Sequence, residues 1–380
     1  MSLNDFLRNT ANKCLKGHCS RNIDLRELKA YLHHFEEPQT KLERSFYQYK
    51  SQMFLLGKVW PIIMNIVSLP LLLYYLRPQK ETAIRTESVE AIFIHDSHSD
   101  NILPEVLRNE LPALVLNPEE GGLLLKEDRK YLAEVARKHP FSWQFLLKIA
   151  IKIRRYRYFI QRYQPKKMVV CNEYSFTSSA MTDYCERNGI ELINVMHGEK
   201  LYGLENCFFQ FHRCYVWDDH YANMFRKLRA YPEQFVVARP KVLIFETPKP
   251  ETPEFDYTYY FQNEREEELM RIHAALLCLH DKGARISLRP HPRYSNIERL
   301  KALFVGMNIE DCKQVPIEQS ILRTQNVISG FSTVLQQAYY NGINVVIDDI
   351  SAPEIYSKMA DWDYIMMSKE HKLLSKIIGA

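Results

Sequence analysis

What this chain lacks narrows its class before any motif is read. Its eight cysteines (Cys14, Cys19, Cys171, Cys185, Cys207, Cys214, Cys278 and Cys312) contain no CxxC pair. Scattered single thiols suit a reducing compartment better than a disulfide scaffold. Cys14 and Cys19 flank His18, yet no second ligand pair follows, so a zinc module is not expected. The opening MSLNDFLRNTANK lacks the basic-then-apolar order of a signal peptide, and the expected location is cytoplasmic. Internal repeats and low-complexity tracts are absent. The net charge of +4 is too small to name a partner, and no nucleic-acid-binding module accompanies it. What remains is ordinary globular material: 380 residues, 46% hydrophobic and 25% charged, enough for one large or two ordinary domains.

The first 50 residues are polar, with Leu25, Leu28, Tyr31 and Leu32 at helical spacing. Residues 53–76, MFLLGKVWPIIMNIVSLPLLLYYL, form the most apolar stretch. It reads as a broken pair of buried helices, or as a segment lying on a bilayer. Lys58, Pro61, Asn65 and Pro70 argue against a true span. From Ala91 the pattern changes to alternating strands and helices, with strands expected at AIFI, ALVL, KMVVC, ELINVM and RCYVW. One helix, Phe145 to Arg162, carries Lys148, Lys152, Arg154, Arg155 and Arg157 among apolar residues and tyrosines. It reads as a surface for anionic lipid, or as a packed helix with a solvated basic face. The proline-rich ETPKPETPEF is the clearest linker, and a second α/β cycle follows it. The expected organisation is α/β: a helical, membrane-suited extension over residues 1–85, a Rossmann-like domain over 86–247 and another over 248–380. A ligand cleft is expected between the two.

Three motifs stand at strand ends. ISLRPHP ends a short strand and offers Arg289 and His291 between Pro290 and Pro292. A proline-locked loop holds an imidazole at low entropic cost, although a structural histidine is the bland alternative. Ser329-Gly330-Phe331-Ser332-Thr333 follows another strand and opens a helix, which suits phosphate or simple capping. Met196-His197-Gly198 follows a third strand, where a mere tight turn is equally open; Glu173 sits just past the strand before it. Asp218-Asp219 also follows a strand, but reads as the acidic start of a helix.

Together these residues resemble the GT-B glycosyltransferases of bacterial surface polymers, the polyglycerol-phosphate polymerases, polysialyltransferases and Kdo transferases. The matching residues are Arg289-Pro290-His291-Pro292, the turn at 329–333, and His197-Gly198. The resemblance runs from Ala91 to Asp349 and leaves the first 85 residues unplaced. It implies a nucleotide-sugar donor held by Arg289, His291, Ser329, Ser332 and Thr333, with His291 neutralising charge on the leaving nucleotide. It implies Glu354 on a ribose, and His197 as base on the acceptor side with Glu173 as the alternative. No metal or other cofactor is expected, since no DxD motif follows a strand. Polysialyltransferases carry an acidic residue where this chain has His197, which favours the teichoic-like or Kdo-like branches, while the resemblance of its His-Pro motif implies a CMP or CDP donor, with a UDP-sugar open. A glycan or lipid-linked acceptor at the inner face of the plasma membrane would complete the picture, with Lys152, Arg154, Arg155 and Arg157 on anionic lipid. Two other classes remain: a nucleotide-sugar 2-epimerase of the same fold, and a non-catalytic scaffold of polysaccharide assembly.

Overall fold

The computed structural model describes residues 24–77, 85–95 and 101–379. The Cys14–His18–Cys19 cluster and the opening stretch lie outside them. The chain divides into two compact units, one comprising Met1–His197 and Tyr202–Ala238, the other Gly198–Leu201 and Arg239–Ala380.

The first unit is built on a six-stranded parallel sheet of β1 (Ala91–Ile94), β2 (Leu114–Leu116), β3 (Lys167–Val170), β4 (Glu191–Val195), β5 (Arg213–Val216) and β6 (Phe235–Val237). Their spatial order is β2-β1-β3-β4-β5-β6. The second unit has its own six-stranded parallel sheet: β7 (Phe255–Tyr260), β8 (Ile286–Arg289), β9 (Asn308–Ile309), β10 (Thr324–Ser329), β11 (Asn344–Ile347) and β12 (Lys372–Leu373). Its order is β12-β11-β10-β7-β8-β9. The α/β class expected from the alternation is therefore present twice. Central strands are buried on both faces, which is why AIFI and the VVI of Val345–Ile347 read as unbroken apolar runs. Each order reverses once, between β1 and β3 in the first unit and between β7 and β10 in the second. At such a switch point neighbouring loops diverge and leave a crevice at the strands' C-terminal ends.

The proline-rich segment does not mark the division of the units, which falls earlier, at Ala238 and Arg239. The backbone ahead of the prolines is already held by the helix Thr333–Tyr340. Gln337 donates to the Val242 carbonyl at 2.8 Å, Asn341 donates to the Leu243 carbonyl at 2.8 Å, and the Phe245 N–H donates to Asn341 Oδ1 at 2.9 Å.

The N-terminal helices are integral to the first unit. Lys41–Leu55 starts at a capping box of Thr40 and Glu43 and packs on the helix Ser178–Arg187. After Gly57, whose φ of +80° breaks the run, Val59–Tyr75 packs along the basic helix Trp143–Tyr163. Residues 53–76 thus form a broken helix pair, but the second helix is not buried. Only Ser68 and Leu72 are buried in it, and one whole apolar side faces outward. No helix among the described residues is long and apolar enough to cross a membrane.

Where these helices meet the basic helix, His139 is stacked on Phe46 at 3.7 Å and meets Phe145 edge-on. Its Nε2 is buried with no hydrogen-bond partner. Burial, helped by Lys138, lowers this histidine from 6.5 to about 4. Between those values the unfolded chain binds the proton more readily, so stability falls as pH drops through that window. His139→Phe keeps the stacking and removes the titration. Urea unfolding should show a shallower loss of stability over this range in the variant than in the parent; equal slopes would rule out His139 as the source.

Candidate functional site

In the first unit the reversal point gathers three of the sheet's C-terminal tips. His95 directly follows β1, Glu173 lies three residues beyond β3, and His197 lies two beyond β4. His197 Nδ1 is 3.6 Å from Glu173 Oε1, and the His95 and His197 rings are 5.7 Å apart. Tyr174 flanks His197 at 6.0 Å. Sequence reasoning named His197 and Glu173 but passed over His95, although a histidine immediately after a strand is the same signal that singled out His197.

Glu173 is wholly buried, a costly position for a carboxylate unless its oxygens and backbone are engaged. Asn194 of β4 donates to its Oε2 at 3.1 Å. Gln48, from the N-terminal helix, donates to the Glu173 carbonyl at 3.0 Å and to the Glu205 carbonyl at 2.8 Å. Gln52, one turn on, donates to the Tyr174 carbonyl at 2.7 Å, and Ser45 donates to that of Phe176. The helix Lys41–Leu55 therefore pins the loop that carries Glu173. No sequence signal linked residues 45–52 to a site some 125 positions downstream. His197 is partly exposed. A buried carboxylate beside Nδ1 favours the tautomer with its proton there, leaving Nε2 as the basic nitrogen.

In the second unit the proline-locked loop and the serine turn are tied together. The His291 N–H donates to Ser295 Oγ at 2.8 Å, and Ser295 donates to the Gln262 carbonyl at 3.4 Å. The Gln262 side chain donates to Ser332 Oγ at 3.0 Å. Gln262 follows β7, so this chain crosses the reversal between β7 and β10, and sequence reasoning did not single it out. His291 stacks on Tyr294 at 4.5 Å, and its Nδ1 accepts the Arg293 N–H at 3.1 Å. The neutral ring then carries its proton on Nε2. Partial burial and the nearby Arg293 charge hold its pKa below the ordinary value. Ser332 caps the helix by accepting the Val334 N–H, and Thr333, half-exposed, opens it.

Three of the residues expected at ligand or lipid contacts, Arg289, Ser329 and Arg157, are buried with partners inside their own units. Arg289 is buried on Glu310 (2.8 Å) and the Val315 carbonyl (3.0 Å), so its guanidinium is spent inside the unit. Burial alone would raise the Glu310 carboxyl, but hydrogen bonds from Ser320, Arg323 and Arg289 hold it low. Ser329 is fully buried and donates to the Tyr260 carbonyl at 2.9 Å, which joins β10 to β7. Arg157 lies largely inside the first unit, paired with Asp128 at 2.7 Å and bonded to Asn188. Arg155 pairs with Glu120 and lines a cavity of about 200 Å³ with His95 and Asn117. Lys152 and Arg154 remain partly exposed. Asp218 caps its helix through the His220 N–H at 3.0 Å, as expected of an acidic helix start.

Beside the β7–β10 reversal lies a cavity of about 380 Å³, within the size range of small-molecule sites. Gly330, Phe331, Ile355, Met359 and Trp362 give it an apolar wall, and Gln262, Glu264 and Asp348 a polar one. Asp348 is saturated by the Tyr259 hydroxyl (2.7 Å) and the N–H groups of Ile350 and Ser351. Glu264 is different. Burial raises it to about 7, with the Glu268 and Asp348 charges adding to the effect. Glu354 stands at the start of the helix Pro353–Met359, exposed and paired with Arg265 at 3.0 Å; its neighbour Ile355, not Glu354, lines the cavity. The turn after β7, Phe261-Gln262-Asn263-Glu264-Arg265, has no glycine and carries a carboxyl. It cannot cradle a pyrophosphate as the glycine-rich first turn of dinucleotide-binding folds does. The turn after β10 has a glycine, Gly330, with open space where a side chain would begin.

No family model matches the chain, and no curated protein does. Solved structures do resemble it. The wall teichoic acid polymerase TagF is 11% identical, covering 85% of this chain and 87% of its own, with a TM-score of 0.41. The UDP-GlcNAc 2-epimerase of Neisseria meningitidis is 12% identical, covering 72% and 85%, with a TM-score of 0.42. The S. aureus protein MnaA, in its UDP co-structure, is 13% identical, covering 76% and 92%, with a TM-score of 0.44.

Proposed function

We propose that this chain is a glycosyltransferase that moves a sugar or polyol phosphate from a nucleotide-activated donor to a glycan or lipid-linked acceptor of a bacterial surface polymer. The observation that carries the reading is the His197–Glu173 pair at the first unit's reversal point. An acceptor hydroxyl must lose its proton as it attacks, and an imidazole backed by a buried carboxylate is suited to take it. His95 stands on the same rim to orient the acceptor.

The nucleoside part of the donor fits the 380 Å³ cavity, its base against Phe331 and Trp362. Its phosphates then lie toward the turn at 329–333, where Ser332, Thr333 and free approach at Gly330 favour an anion. His291 Nε2–H, tied to that turn through Gln262, donates to the leaving phosphate. The His-Pro loop favours a CMP or CDP donor. The work is cytoplasmic.

Three outcomes test this. In thermal unfolding with CMP, CDP, UDP, GDP or NAD, one pyrimidine nucleotide should raise the melting temperature, because a ligand of the native state stabilises it by mass action; no shift with any would remove the proposal's basis. His197→Ala should lower kcat by about 10²-fold or more while leaving nucleotide affinity unchanged. Lost nucleotide affinity would move His197 to the donor side, and conversion of a UDP-sugar without acceptor would mark an epimerase. Finally, Glu264 gains charge as pH rises through about 7, so nucleotide affinity should weaken across that pH. Glu264→Gln should flatten the dependence, measured by calorimetric titration. A parent affinity constant over this range would place the nucleotide elsewhere.

A further inference from the structure

The helix Val59–Tyr75 carries apolar side chains on every side, yet packs on only one. Val59 (67% exposed), Ile62 (62%), Ile66 (58%) and Val67 recur at helical spacing along its outer face, followed by Leu71 and Tyr74. Phe141, 79% exposed, extends the patch sideways; its carbonyl accepts from Asn65 at 2.8 Å, which fixes it beside the helix. An outward apolar face of this extent on a globular protein marks a contact with another phase or molecule.

Charge identifies which. Between Glu43 and Glu81 the sequence holds no carboxylate, and neither does the supporting helix Trp143–Tyr163. The cations sit at the margins: Lys58 at one end of the apolar helix and Arg77 just past the other, both exposed. Arg154 lies against Tyr75, its guanidinium 5.0 Å from the ring, and Lys152 is partly exposed on the same helix. Trp60 and the Tyr74–Tyr75 pair stand near the two ends, where amphipathic rings prefer an interface. A symmetric contact between two copies would bring these cations together without a counter-charge. At 17 residues the helix is about 26 Å long, short of the roughly 30 Å hydrocarbon core.

We propose that Val59–Tyr75 lies in the plane of an anionic bilayer, with Val59, Ile62, Ile66, Val67 and Phe141 among the acyl chains and Lys58, Arg77 and Arg154 at the phosphate headgroups. The inference stands apart from the transferase reading, because it concerns a surface remote in sequence from His197 and the second unit. It would place the first unit where a lipid-linked acceptor is held.

The test is co-sedimentation of the full chain with vesicles of phosphatidylcholine, with and without phosphatidylglycerol. The parent should bind the anionic vesicles, and Ile62→Glu with Ile66→Glu should cut the partition by about 10-fold or more. Lys58→Gln with Arg77→Gln should weaken binding to the anionic vesicles and reduce its salt dependence. All four side chains are exposed, so melting temperatures should stay near the parent's. As a check that needs no variant, brominated acyl chains should quench the parent's tryptophan fluorescence, and Trp60→Phe should remove that quenching. Failure of the parent to bind, equal binding by the glutamate variant, or a parent dimer that the glutamate variant dissociates would each overturn the proposal.

Discussion

A parallel sheet that reverses its strand order once leaves a crevice whose position the chain cannot choose freely. The loops on either side of the reversal must lead away in opposite directions, because each right-handed crossover covers a different face of the sheet. Both units obey this constraint, and the polar groups that matter follow from it. His95, Glu173 and His197 converge because β1, β3 and β4 are adjacent around the first reversal. His291, Gln262 and Ser332 are linked because β8, β7 and β10 are adjacent around the second.

Burial of charge accounts for the second layer of organisation. Arg157 with Asp128, and Arg289 with Glu310, are cations drawn inside and compensated there. Removing one partner of such a pair leaves an uncompensated buried charge, at a cost of about 3–5 kcal/mol. The Glu173 carboxylate accepts from the Asn194 amide at 3.1 Å, and its other oxygen stands 3.6 Å from His197 Nδ1.

The N-terminal helices serve two purposes with two faces. The polar face of Lys41–Leu55 supplies Ser45, Gln48 and Gln52 to the backbone of the site loop. The apolar helix that follows turns its free side outward, next to a helix without acidic residues. These N-terminal helices are thus structurally continuous with the rim of the first unit that carries Glu173 and His197.

The sequence by itself determined the local order: strand and helix periods, the acidic cap at Asp218, the proline-locked His291, and the alternation that demands parallel sheets. These depend on contacts a few residues apart, which composition and spacing record. Only the tertiary structure decided which polar groups reach a site. Arg289, Ser329 and Arg157 look identical in sequence to residues that bind ligands, and differ only in the partners that distant segments bring to them. Gln48 and Gln262 carry no motif and matter because of where strand adjacency and helix packing put their amides. The outward face of Val59–Tyr75 was likewise undecidable from an apolar run, since hydrophobicity states a preference for leaving water and not what receives it.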